Sequence, residues 1–350
     1  LFSLAAIAVT SIVFGLAPAL QLAKLDPAQT LRELSGATPG RGMRRLQAGL
    51  VSLEIALSTV LLLTAGLLLI SFQKLRNVDL GYEAEGVLII QTSLASPEFA
   101  ATEPALIRVQ RVIERLKTIP EVKHVATVTR LPTEPSLVLS FDLLSSDQQL
   151  EANWRAVTPE FFEALRIPLH AGRSFSDRDT RDAPPVAVVN EMFVRKFLNG
   201  SNPLGQRLVI GRDVSDNFAD TPREIVGVVE DTLGNTLSEA AAPGIFIPAA
   251  QVPDRTTAFL NQIVPLNWVV QVMGDPAKVS GTIPREVSAA DSSMVASTPR
   301  PLADMLSGLT AQQQMYATLM TFFAAVALFL GAVGLHGVMS HSVAERRHEL

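Results

Sequence analysis

Apolar residues gather in three blocks along this chain, 1–23, 48–70 and 317–339, whose only formal charge is Glu54. Each block is about 23 residues long, and roughly 20 apolar residues rising 1.5 Å apiece cross the hydrocarbon core of a bilayer. A core helix of a soluble domain is seldom so long with every face apolar. The pattern therefore predicts three transmembrane helices. Block 1–23 lacks the basic start and the small-residue cleavage site of a signal peptide and has no initiator Met, so the chain reads as cut from a longer protein at both ends.

Between the second and third blocks the periodicity changes. The stretch 71–316 is too long for a structureless loop. It opens on a strand pattern at 86–94 (GVLIIQTSL). A helical stripe follows, with Ala105, Leu106, Val109, Val112, Ile113 and Leu116 on one face, Thr102 placed to cap it and Pro104 in its first turn. A second strand is expected at 122–129. The same order returns near the far end: a strand at 268–272, a helix opened by Asp275 and Pro276, and a strand at 294–298 (MVAST). Pro284 should kink or break that helix, because it lacks a backbone donor. Two β-α-β units thus bracket different material. The insert reads as a short helix in 158–175, a strand at 184–190, a short helix at 191–198 ended by Asn199-Gly200, and strands after Pro203, at 223–231 and at 244–250. The expected fold class is three membrane helices with a large α+β domain of two lobes. An outer lobe comes from 71–149 and 263–316, and a second lobe from 150–262.

Charge orients the chain. The short segment 24–47 carries Lys24, Arg32, Arg41, Arg44 and Arg45 against Asp26 and Glu33, and segment 340–350 carries Arg346 and Arg347. Short basic segments stay in the cytoplasm while long loops cross regardless of charge, so 71–316 is expected outside it. A net charge of −5 without a basic aromatic surface argues against nucleic acid. With no cysteine, disulfides and thiolate chemistry are excluded.

Little in the sequence points to catalysis. GRSFS (172–176) resembles a nucleophile elbow but lacks its second glycine. DRDTRD (177–182) reads as a solvated turn, since its arginines and spacing do not fit a calcium loop. His124 and His170 show no spacing that predicts a shared site, and no G-x-x-x-x-G-K-[ST] occurs. No cofactor or metal is expected, and the chain does not read as an enzyme. Glu54, near the cytoplasmic end of its block, reads as a headgroup-boundary residue or a partner of Arg44 or Arg45. Gly331, Gly334 and Gly337 form a small-residue stripe against which another helix can pack. After the third block, Glu345, Arg346, Arg347 and Glu349 alternate in sign. Positive charge alone would serve an anchor, whereas mixed charge suits a helix that meets a polar protein; both readings stand.

Taken in order, several stretches resemble permeases of the FtsX and MacB type from ATP-binding-cassette systems. They are FGLAPALQLAKLDPAQTLRE (14–33), LVSLEIALSTVLLLTAGLLLISFQKLRNVDLGYEAEGVLIIQTSL (50–94), VTPEFFEALRIPLHAGRSFSDRD, PPVAVVNEMFVRKFL, NPLGQRL, EIVGVVED and SVAERRHEL. The end of one unit (1–33) followed by the start of another (48 onward) is similar to duplicated orphan permeases of acidobacteria. The resemblance implies an inner-membrane protein with a two-lobed periplasmic domain. It implies a separate cytoplasmic ATPase that holds the ATP and contacts 345–350, a second permease unit in the same chain or a dimer, and a periplasmic partner. Two departures are visible: Pro284 falls within an expected lobe helix, and the last two membrane helices of the family are missing. The function expected is coupling of ATP hydrolysis on the partner to movement of the periplasmic domain, for export or for mechanical transmission. The alternative is a non-transporting regulator whose outer domain activates a periplasmic enzyme. A substrate-sized groove between the lobes would separate the two.

Overall fold

The computed structural model describes residues 80–144, 149–211, 220–233 and 241–308, with further helical positions between 49 and 70 and between 315 and 332. Contacts divide the chain into Leu67–Thr318 and a second unit of Leu1–Gly66 with Leu319–Leu350. Among the described residues no helix is long and apolar enough to cross a membrane. The three apolar blocks lie wholly or partly outside those residues. Where positions within them are described they are helical, and large side chains such as Leu63, Leu67, Phe322 and Phe329 are exposed.

In the unit Leu67–Thr318, strands β1 (Val87–Thr92), β2 (Val122–Val128) and β10 (Leu266–Val272) come from its two ends. With the two-residue β11 (Arg300–Pro301) they lie in the order β11-β1-β10-β2, all neighbours antiparallel. Each β-α-β unit therefore straddles a strand of the other, the split β-α-β arrangement. The strands are continuous apolar runs because both faces are buried. Val87 and Ile89 face one core, with Ala126, Val128 and Val269. Leu88 and Ile90 face a second, where Ala105, Val109, Val112, Ile113 and Leu116 of α1 (Thr102–Lys117) pack with Trp268 and Val270.

The insert closes on itself. Strand β4 (Gln149–Val157) pairs antiparallel with β3 (Leu137–Leu143) and parallel with β9 (Gly244–Pro248). The ring continues through β7 (Arg207–Ile210), β8 (Arg223–Val229) and β6 (Val186–Asn190) back to β9. A short β5 (Leu169–Gly172) adds to β8. Closure gives each of these six strands a strand neighbour on both sides, over part of its length. Alternate residues point inward: Leu139 and Phe141, Trp154, Val189, Ile225, and Ile245 with Ile247 fill the barrel, together with Phe193 of α3 (Glu191–Phe197) and Leu260 of α4 (Asp254–Ile263). By strand pairing the barrel begins at Leu137, earlier than the residue 150 read from the sequence.

Four expectations change. Thr102 does not cap α1; it is the first helical residue, after Ala101, and its hydroxyl bonds elsewhere. The helix over 275–291 is two pieces, α5 (Ala277–Ser280) and α6 (Ile283–Ala290), with Pro284 in the first turn of the second, where its missing N–H costs nothing. The strand expected at 294–298 is a single bridge between Thr92 and Ala296, since Ser297 Oγ takes the Gln91 N–H that a longer ladder would use; the strand proper is β11. Strands β3 and β4 and helix α4 were not foreseen, nor was the short strand at Leu169–Gly172, which lies where the sequence reads as a turn. The sequence did carry a signal for β3 and β4: Leu137, Leu139, Phe141 and Leu143, then Leu150, Ala152, Trp154 and Ala156, alternate as half-buried strands do.

Candidate functional site

The split β-α-β sheet and the barrel join where β2 meets β4, through the single ladder pair Val128–Val157. Threonines extend it. Thr158 Oγ1 accepts the Thr127 N–H at 2.7 Å, and Thr129 Oγ1 accepts the Ala156 N–H at 3.1 Å. Behind this ladder, Phe161 and Phe162 of α2 (Phe161–Ala164) pack on Phe246 of β9, with ring centroids 6.2 and 5.1 Å away. They belong to a core that includes residues of both bodies.

Arg155 lies in the same place, 3% exposed. Its guanidinium donates to Arg130 O at 3.2 Å and Ser136 Oγ at 2.6 Å and sits 6.0 Å from the Phe246 ring centroid. Among the described residues no carboxylate is in ion-pair contact with it. Burial lowers its pKa to about 10, against the more distant pull of Tyr82 and Glu134, so it stays charged at neutral pH. Burial also pushes the Tyr82 phenol up to about 12, opposed by Arg155.

On the opposite side of the joint the two bodies meet through polar ties around a cleft. Thr102, at the start of α1, donates its N–H to Asp254 Oδ1 at 2.9 Å and its hydroxyl to Val252 O at 2.8 Å. The Thr102 and Thr257 hydroxyls are 2.6 Å apart, and Asn261 Nδ2 donates to Phe99 O at 2.8 Å. A carboxylate from α4 thus satisfies an orphan N–H at the N-terminus of α1, where negative charge is favoured. Arg181 grips Asp254 with two hydrogen bonds of 2.8 and 2.6 Å. Those bonds, aided by the Thr102 N–H, hold the Asp254 carboxyl down at about 2.

A narrow cavity of about 70 Å³ lies beside these ties, lined by Leu94, Ala105, Val252 and Leu260. A second, of about 340 Å³, shares Leu106, Val109 and Ala249 with it and adds Thr158, Ser176 and Asp179. Burial raises the Asp179 carboxyl, but two 2.8 Å bonds from Arg173 and the Ser176 N–H outweigh it and hold the group low. At a third point Glu160 of the barrel side pairs with Lys117 of α1 and lies 3.3 Å from His124 of β2. Apolar packing on one side and hydrogen bonds around an open cleft on the other make an asymmetric joint.

Of the residues singled out in the sequence, Glu345, Arg346, Arg347, Glu349, Gly331, Gly334 and Gly337 lie outside the described residues. So does Glu54. The segment 177–182 forms a turn whose Asp179 and Arg181 serve the ion pairs above. His124 and His170 lie apart, each against glutamates of other elements. The tie of Thr102, Arg181 and Asp254 escaped sequence reading because its members are far apart in the chain and form no local motif.

The sequence model of the MacB-like periplasmic core domain matches residues 50–284. The "Macrolide export ATP-binding/permease protein MacB" of Azoarcus sp. is 23% identical over 242 residues, covering 68% of this chain and 34% of that protein. The "Uncharacterized ABC transporter permease YknZ" of Bacillus subtilis is 20% identical over 259 residues, 73% of this chain and 59% of that one. Among solved structures, the periplasmic region of MacB from Actinobacillus actinomycetemcomitans aligns over 65% of this chain and 94% of its own length, with a TM-score of 0.44 and 14% identity. The chain spans about a third of the length of the MacB relatives it matches. With the family's domain matched over most of the described sheet and barrel, the chain belongs to the MacB-like periplasmic core domain family, the domain of FtsX/MacB-type permeases.

Proposed function

We propose that this chain is the membrane component of an ATP-driven export system in a bacterial inner membrane, with 71–316 in the periplasm. The observation that carries the reading is the family match over 50–284, which begins inside one apolar block and stops short of another. Exposed apolar side chains on the described helical positions of those blocks support a bilayer around them, because water would be a poor solvent for such a surface. The relatives named as export proteins support transport, as does the cleft of about 340 Å³, within the range of small-molecule sites.

In this reading the chain performs no chemistry of its own. ATP is held and hydrolysed by a separate cytoplasmic ATPase, and the movement reaches the periplasmic domain through 345–350 and the membrane helices. There it rotates the barrel against the split sheet and changes the cleft. A second permease unit packs along Gly331, Gly334 and Gly337, and the tandem order of 1–33 and 48 onward is part of the same proposal.

Orientation is tested first. A cysteine replacing the exposed Ser201 should label with an impermeant thiol reagent in intact spheroplasts, and one replacing Ser35 should not. The reverse pattern would place the domain in the cytoplasm and end the proposal. Coupling is tested by reversing Glu345, Arg346, Arg347 and Glu349 together in the complete protein, with orientation verified by the same labelling. Exposed pairs contribute only about 0–1 kcal/mol each, so single reversals should weaken ATP-dependent export slightly and the fourfold variant strongly. Full export and full ATPase association in a correctly inserted variant would reduce 345–350 to an anchor.

A further inference from the structure

At one end of β8, three metal-ligating side chains converge from three elements. Val229, the last residue of β8, pairs with Leu169 of β5 on one side and with Asn190 of β6 on the other. Glu191 and Glu230 follow Asn190 and Val229 on parallel strands, whereas His170 lies on the antiparallel β5 as the extra residue between Leu169 and Ala171, beside Val229 and Val228, so all three stand near one end of β8. His170 stands at the register shift between Leu169 and Ala171, a bulge that re-aims a side chain out of the regular alternation. Glu191 opens α3 directly after Asn190, whose side chain accepts the Phe193 N–H. The Glu230 backbone is held by its N–H to Pro168 O at 2.9 Å.

His170 Nε2 is 2.7 Å from Glu230 Oε2, and Nδ1 is 3.7 Å from Glu191 Oε1. One ligand atom from each of the three lies within 4.8 Å of the others. In a tetrahedral site with bonds of about 2.0–2.1 Å, ligand atoms are roughly 3.3–3.4 Å apart; because one ion takes a single imidazole nitrogen, one of the two glutamates must turn around the edge of the ring to join the other on the same nitrogen's side. The side chains are 35–40% exposed, which leaves the remaining coordination positions open to water. Two carboxylates and a neutral imidazole match the charge of a dication. Arg195 donates to Glu191 Oε2 at 3.3 Å and pairs with Asp231, so it holds the outer oxygen of Glu191 and leaves Oε1 facing His170. The other histidine of the domain differs. At His124 the neighbouring Glu160 is already paired with the Lys117 ammonium, a cation in place of a metal.

We propose that His170, Glu191 and Glu230 bind one divalent transition-metal ion of the zinc class, completed by water. The proposal does not rest on the transport reading. The test is calorimetric titration of the purified chain with Zn²⁺ alone after chelator stripping and dialysis, with metal analysis of the product. A single saturable equivalent is expected. His170→Ala and Glu230→Gln should each weaken it by more than about tenfold, and His124→Ala should leave it unchanged. All three substitutions fall on side chains that are not buried, and thermal unfolding of the stripped variants verifies that each is folded. Absence of a saturable equivalent, or binding that survives His170→Ala, overturns the proposal.

Discussion

Asp254 shows how one side chain can serve two bodies. Its carboxylate closes the N-terminus of α1 and is itself held by Arg181. Because its folded pKa, about 2, lies below the ordinary aspartate value of about 3.9, its contribution to stability is complete above the unfolded value and is lost as pH falls through the folded one. Asp254→Asn should therefore lower the denaturation midpoint at pH 7, and the difference from the parent should shrink between about pH 4 and pH 2. Chemical denaturation across that range measures it, and a pH-independent difference would mean that the carboxylate charge is not what matters. Arg155 is the opposite case, a buried cation held by neutral acceptors and an aromatic face. Neither residue announces its role in the sequence, because an aspartate after a proline and an arginine within a strand are common. Their partners settle what they do.

At the scale of elements, close approach of strands limits what the barrel tolerates. Gly227 of β8 faces Arg173 just beyond β5, and a Cβ added there would lie 2.3 Å from Arg173 O. Gly172, opposite it, has a φ of +74° and would meet Val226 O at 2.1 Å. Backbone cannot yield as a flexible side chain does, so Gly227→Ala should destabilise the domain by more than about 2 kcal/mol, read from the midpoint of cooperative unfolding. An unchanged midpoint would show that β5 can detach from β8 without loss. Helix α1 and the strands of the split sheet were legible because their periodicity repeats over many residues. Segment 294–298 was misread because its apolar and β-branched residues suit a strand, while actual pairing depends on which edge is free and where Pro299 and Pro301 remove donors.

The whole domain is two bodies sharing one apolar core on one side and a polar-rimmed cleft on the other. If cleft motion belongs to the working cycle, fixing it should stop the cycle. The chain contains no cysteine, so Thr102→Cys with Thr257→Cys introduces a single pair at hydroxyls now 2.6 Å apart. Oxidation should abolish ATP-dependent export in membranes and reductant should restore it, with each single variant unaffected. Export that continues while crosslinking is verified by mass spectrometry would show that the cleft stays closed throughout.

The sequence alone determined the three apolar blocks, the short basic segments beside them, most strands and helices between them, and the order of segments that resembles FtsX/MacB permeases. Each of these rests on local pattern: hydrophobic length, a period of two or of 3.6, or a short motif. The tertiary structure alone decided that β4 pairs with both β3 and β9 and so closes a barrel, that Asp254 completes the helix begun at Thr102, and that a bulge turns His170 toward Glu191 and Glu230. Local pattern specifies which face of an element is apolar but not which distant element covers it. Partner choice follows from competition among all buried faces and unpaired backbone groups at once, which becomes definite only in the folded chain.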